Sequence, residues 1–123
     1  MEAAEWWVCA EAWVNVTLEM PSLGIGRHGH DVRVRFCGRW ERRGLLAYDI
    51  ERLRAALEET LRPLHKSRLS RALGGEAALE DLALHTCRAL AARLDPPPLE
   101  ARVEARVPEG WVELRCKSRP PEG

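Results

Sequence analysis

Between Trp6 and Met20 every even-numbered position is apolar: Trp6, Val8, Ala10, Ala12, Val14, Val16, Leu18 and Met20. The odd positions mix Glu11, Asn15, Thr17 and Glu19 with Trp7 and Trp13. A repeat of two sustained over this length belongs to extended chain, because a helix would scatter the same residues around its circumference. The segment therefore predicts one long strand with a continuous apolar face, and any fold built on it must cover that face.

The rest of the chain supplies partners for the strand and a cover for its face. Pro21 to Gly26, with one proline and two glycines, breaks the pattern. It resumes as Val32, Val34 and Phe36 alternating with Arg33, Arg35 and Cys37, so the two runs are expected to form an antiparallel hairpin. Asp49 is a good helix N-cap ahead of Ile50, Leu53, Leu57, Leu61 and Leu64, whose spacings of three and four predict an amphipathic helix. After Gly74-Gly75, a second stripe of Leu79, Leu82, Thr86, Leu90 and Leu94 predicts another helix, stopped by Asp95-Pro96-Pro97-Pro98. Apolar Leu99, Ala101, Val103, Ala105 and Val107 then alternate with charged residues. Pro108-Glu109-Gly110 turns the chain and Trp111 to Cys116 returns it. The expected order is β-β-α-α-β-β, an α+β domain over residues 1–117 with a loose tail at 118–123.

A length of 123 residues suits one core. With 19 basic and 19 acidic side chains there is no net field to gather polyanions, so nucleic acid is not an expected partner. The opening Met1-Glu2-Ala3-Ala4-Glu5 is acidic where a secretion signal would be basic, and no apolar run is long enough to span a bilayer. A cytoplasmic protein without a membrane partner is expected. Cys9, Cys37, Cys87 and Cys116 lack the short pair spacing of zinc or redox sites and are expected as buried thiols.

Metal chemistry points to one place. His28 and His30 are two residues apart at the start of the second strand, which puts both imidazoles on one face, with Gly29 leaving room between them. Two histidines are part of a zinc site, since a catalytic zinc usually takes three protein ligands and one open position. His85, between Leu82 and Leu90, is expected as a partly exposed helical histidine.

Taken in order, the long strand, the His28-Gly29-His30 triplet, the Asp-capped helix, the second helix and the final hairpin resemble the 6-pyruvoyl-tetrahydropterin synthase family. That family includes the 6-carboxy-tetrahydropterin synthases of queuosine biosynthesis. Gly44-Leu45-Leu46-Ala47-Tyr48-Asp49 is similar to the family's helix opening with one extra residue. Leu64-His65-Lys66-Ser67-Arg68-Leu69-Ser70 falls on the family's Leu-Asp-His-x-x-Leu-Asn, and Ala77-Ala78-Leu79-Glu80-Asp81 on its Pro-Thr-x-Glu-Asn.

The resemblance implies a tunnelling fold, a four-stranded antiparallel sheet with two helices on one face. In it, subunits close into a barrel and stack as a homo-oligomer, trimer or hexamer, with active sites between them. It implies a zinc-dependent lyase acting on a pterin of the dihydroneopterin triphosphate type, with His28 and His30 on the zinc. His65 and Lys66 would stand where the family moves protons, and Glu80 and Glu104 would serve the substrate.

The pattern is depleted at the chemistry. Counting back from His28 puts Trp13 nearest the family's third zinc histidine, and Gly24 stands where its cysteine would be. The pterin-anchoring glutamate falls near Arg106, with Glu104 the nearest carboxylate, and Glu19, Glu11 or a neighbouring subunit is left to complete the metal site. The function expected is binding of, or action on, a pterin-type ligand. The alternative is a tunnelling-fold subunit that has lost catalysis and serves a binding or structural role.

Overall fold

The computed structural model describes residues 4–117, so the tail expected at 118–123 lies outside the described residues. Strand β1 runs Trp6–Met20 and β2 Ile25–Trp40, followed by helix α1 Ile50–Leu61. Strand β3 is Ser67–Arg68 and helix α2 Leu69–Leu73. Helix α3 is Leu79–Arg93, and the chain ends in strands β4 Glu100–Val107 and β5 Gly110–Lys117.

The two long strands pair antiparallel in one unbroken register from Trp6 opposite Trp40 to Leu18 opposite His28, and a bulge follows before Met20 meets Ile25. The turn between them is a short 3-10 segment, Pro21–Leu23, closed where the Gly24 N–H donates to the Pro21 carbonyl at 3.0 Å. Gly24 sits at φ 70°, a left-handed conformation that glycine adopts without a Cβ clash. Strand β2 thus begins at Ile25, a few residues ahead of the strand entry expected at His28, and the histidine triplet lies inside the ladder.

Lateral order is β3-β1-β2-β4-β5. The expected four-stranded antiparallel sheet is present as β1, β2, β4 and β5, and the correction is a fifth strand, β3, parallel to Val16 and Thr17 at the β1 edge. It forms because Lys66 turns the chain at φ 59° while its N–H donates to the Asn15 carbonyl at 2.6 Å. A strand of two residues has no periodicity to read, and neither does the five-residue α2 behind it.

The even side chains of β1 and β2 meet the helices. Val14, Val16, Val32, Val34, Phe36 and Val103 are all but fully buried beneath Leu53 and Leu57 of α1 and Leu82 and Leu90 of α3. Each large side chain so buried contributes about 1.5–3 kcal/mol. The Asp49 side chain caps α1 as expected, accepting the Glu51 N–H at 2.9 Å. Ile50, expected in the buried stripe, opens the helix and is 60% exposed.

The cysteines correct the expectation of free thiols. Cys9 and Cys37 are directly opposite in the ladder, with Cα atoms 4.1 Å apart, and are disulfide-bonded. Cys87 on α3 is bonded to Cys116 on β5, with Cα atoms 6.8 Å apart. The pairings depend on register and packing that spacing along the chain does not disclose.

One close approach needs the absence of a side chain. A Cβ on Gly38 would lie 2.4 Å from the Trp40 ring. That ring is buried, stacks on Tyr48 at 4.3 Å and donates its Nε1–H to the Pro96 carbonyl at 2.9 Å. Gly38→Ala is therefore expected to cost about 1–3 kcal/mol through overpacking, read as a lowered midpoint in denaturant unfolding. An unchanged midpoint contradicts this packing.

Candidate functional site

His28 and His30 face the same side of β2, as their spacing requires, with ring centroids 4.6 Å apart and planes at 82°. The His28 Nδ1 lies 2.7 Å from the Gly26 carbonyl, which engages that nitrogen as a donor and turns Nε2 outward. Both histidines are half-buried and Gly29 is exposed between them.

Register decides what stands beside them. Leu18 is opposite His28 and Val16 opposite His30. Both are buried and apolar, so β1 presents no donor to the pair. Trp13, reached by counting along the chain, pairs with Arg33 on the other face of the sheet and is 67% exposed. Glu11 and Glu19 also point to that other face. Glu11 meets Arg33 at 3.8 Å and Arg35 at 4.0 Å, whereas Glu19 meets Arg68 at 3.0 Å and Arg27 at 3.5 Å. Among the described residues no cluster of three His, Cys, Asp or Glu side chains is suited to a metal ion.

Asn15 fastens the segment expected to move protons. Its backbone N–H donates to His65 Nδ1 at 3.1 Å, its carbonyl accepts the Lys66 N–H, and its side-chain amide donates to Asp31 at 2.8 Å. Ser67, Val16 and His30 then lie side by side across three strands. At about 4.8 Å per strand, the start of β3 is roughly 10 Å from His30. His65 and Lys66, both exposed, are thus brought to the histidine end of the sheet. Nothing in the amino-acid pattern marks Asn15 for this role.

Glu80 arrives at the same end. The start of α3 is drawn there by a bridge between Glu19 and Ala77 and by Glu76, whose carboxylate accepts from the Ser22 hydroxyl at 2.8 Å. Asp81 caps the helix by accepting the Ala78 N–H at 2.8 Å, leaving Glu80 exposed in the first turn. Glu104 does not join them. It pairs in register with Arg35 on the helix-free face, and its carboxylate is held by Arg106 at 2.6 Å. That position is five residues along β2 from His30, roughly 17 Å.

No protein-family model and no curated protein sequence matches the chain. Solved structures do. The Caenorhabditis elegans 6-pyruvoyl tetrahydropterin synthase superposes with a TM-score of 0.74 at 12% identity, covering 93% of this chain and 97% of that one. A catalytic-residue mutant of the Plasmodium vivax enzyme gives 0.74 at 11% identity over 94% and 99%. A second Plasmodium vivax structure gives 0.72 at 10% over the same shares. The chain has the 6-pyruvoyl tetrahydropterin synthase fold.

Within that fold the residues present do not fit a catalytic zinc contributed by one chain. Two imidazoles stand side by side, the residues paired with them, Leu18 and Val16, are aliphatic, and no third donor joins them among the described residues. A cleft of about 350 Å³ lies at the opposite end of β2, lined by Trp40, Tyr48, Asp49, Arg52 and Asp95, and none of the expected site residues borders it. No helix among the described residues is long and apolar enough to cross a membrane.

The carboxyl of Glu19 is held below the usual carboxylate range, first by the hydrogen bond from Arg68, with desolvation opposing and the charge of Arg27 assisting. A depressed folded-state pKa stabilises the fold at neutral pH, and that contribution is lost as pH falls through the lowered value. Carboxyl NMR titration is expected to place Glu19 below an ordinary glutamate, and Arg68→Ala to return it towards the ordinary value. A wild-type midpoint at or above the ordinary range contradicts the arrangement.

Proposed function

We propose that the protein binds a pterin-type ligand, of the dihydroneopterin triphosphate class, on a tunnelling-fold scaffold without carrying out zinc-dependent lyase chemistry. The observation behind this reading is the register that sets Leu18 and Val16 against His28 and His30. The histidine end keeps polar groups able to hold a ligand, namely His28, His30, His65, Lys66 and Glu80. It lacks the donor that would complete a catalytic metal. The synthase fold supports the ligand class, and the aliphatic positions support the loss of chemistry.

Homo-oligomerisation as a trimer or hexamer belongs to the same proposal. Among the described residues, both β5 and the Trp6–Val14 part of β1 are sheet edges without a partner strand, a condition that copies of one chain relieve by pairing edge to edge.

A second reading, a working 6-pyruvoyl- or 6-carboxy-tetrahydropterin synthase with a rearranged site, rests on the anchoring of His65 and Lys66 by Asn15. There a neighbouring copy would complete the zinc and this segment would move the proton. Calorimetric titration with dihydroneopterin triphosphate, alongside a turnover assay in zinc-supplemented buffer, separates the two. Saturable binding without turnover is expected, with His30→Ala weakening it about tenfold, near the loss of one charge-assisted hydrogen bond. Turnover abolished by Lys66→Ala establishes the second reading, and absence of any binding overturns both.

A further inference from the structure

The face of the sheet that no helix covers carries a second chemically distinctive place. Its centre is a recess of about 320 Å³ lined by Trp7, Cys9, Arg35, Cys37, Arg102, Glu104 and Glu113. The Cys9–Cys37 bridge belongs to this lining, both cysteines half-buried. The other bridge differs in kind, because Cys87 is fully buried between α3 and the sheet.

The charges around the recess favour an anion. Arg102 stacks its guanidinium over the Trp7 ring at 4.3 Å, and its Nε, out of reach of solvent, has no hydrogen-bond partner among the described residues. Among the described residues, the ion pair of Arg35 is a 4.0 Å contact with Glu11. Of the two acids in the lining, Glu104 is taken by Arg106, which leaves Glu113 facing two guanidinium groups. Arg35 stands two residues before Cys37 on the same face, whereas Arg102 comes from β4 and nothing beside Cys37 announces it.

We infer that the Cys9–Cys37 bridge is a thiol–disulfide exchange site for small anionic thiols, the recess holding their carboxylate against Arg102 and Arg35. In the first step the external thiolate attacks one bridge sulfur. The Cys9–Cys37 bond breaks, a mixed disulfide forms, and the other cysteine leaves as a thiolate beside a guanidinium, which favours the charged form. A second external thiolate attacks the external sulfur of the mixed disulfide and releases the remaining cysteine. Two external thiols are oxidised to one disulfide, the bridge is reduced to two cysteines, and the two thiol protons pass to them through solvent.

The test uses the native full-length protein and three probes: 3-mercaptopropionate, neutral 2-mercaptoethanol and cationic cysteamine. Cysteines freed over time are alkylated and assigned by peptide mass, with rates normalised to those on the urea-unfolded chain. The expected result is reduction of Cys9–Cys37 roughly tenfold faster by the anionic probe than by the neutral one, the cationic probe slowest and Cys87–Cys116 intact. Arg102→Gln with Arg35→Gln should remove the order, and Arg102→Lys should retain it in part. Equal normalised rates for the three probes in the native protein overturn the proposal whatever the variants do, and so does reduction of both bridges together.

Discussion

The register of the β1–β2 ladder is the constraint on which the remaining structure depends. Because side chains alternate, pairing Leu18 with His28 sends the even residues of both strands, from there to Trp6 and Trp40, to the helix side and the odd ones to the open face. A slip of one residue would turn one strand over against the other, exposing either Val14 or Val32 and Phe36, and burying Glu11 or Arg33 and Arg35 in their place. Burial of that apolar set holds the register, and the register then determines which side chains can meet: the two histidines with Leu18 and Val16, Cys9 with Cys37, Trp13 with Arg33.

Much of this was legible along the chain. The apolar alternation located β1 at its observed limits, Asp49 announced the start of α1, and Pro108-Glu109-Gly110 announced the final turn. That His28 and His30 share a face followed from their spacing alone. What lies opposite them did not. The residues between the strands read as a loop, whereas the structure spends only Pro21–Gly24 on the turn and resumes pairing at Ile25. Counting back from His28 without that register led to Trp13, on the wrong face. Parity was the available signal, since any partner of an even histidine in this hairpin must itself be even.

Other features were hidden because they are made by tertiary contact. β3 exists only while Asn15 holds the His65-Lys66 backbone, and the two disulfides join residues from separate elements. The separation of Glu104 from the histidines within one chain is of the same kind, since it is set by the register of β2 with β4. The molecule thus carries a polar cluster at one end of its hairpin and an arginine-flanked disulfide on its open face, with the apolar core between α1, α3 and the sheet isolating neither from solvent.

Zinc affinity, measured by calorimetric titration on Leu18→His and Trp13→His beside the native protein, tests the register most directly. If Leu18 stands opposite His28, the first substitution supplies the missing imidazole and tightens binding by on the order of tenfold or more, while the second leaves it at the native level. Tightening by Trp13→His with none from Leu18→His would contradict the register and the account of the site built on it.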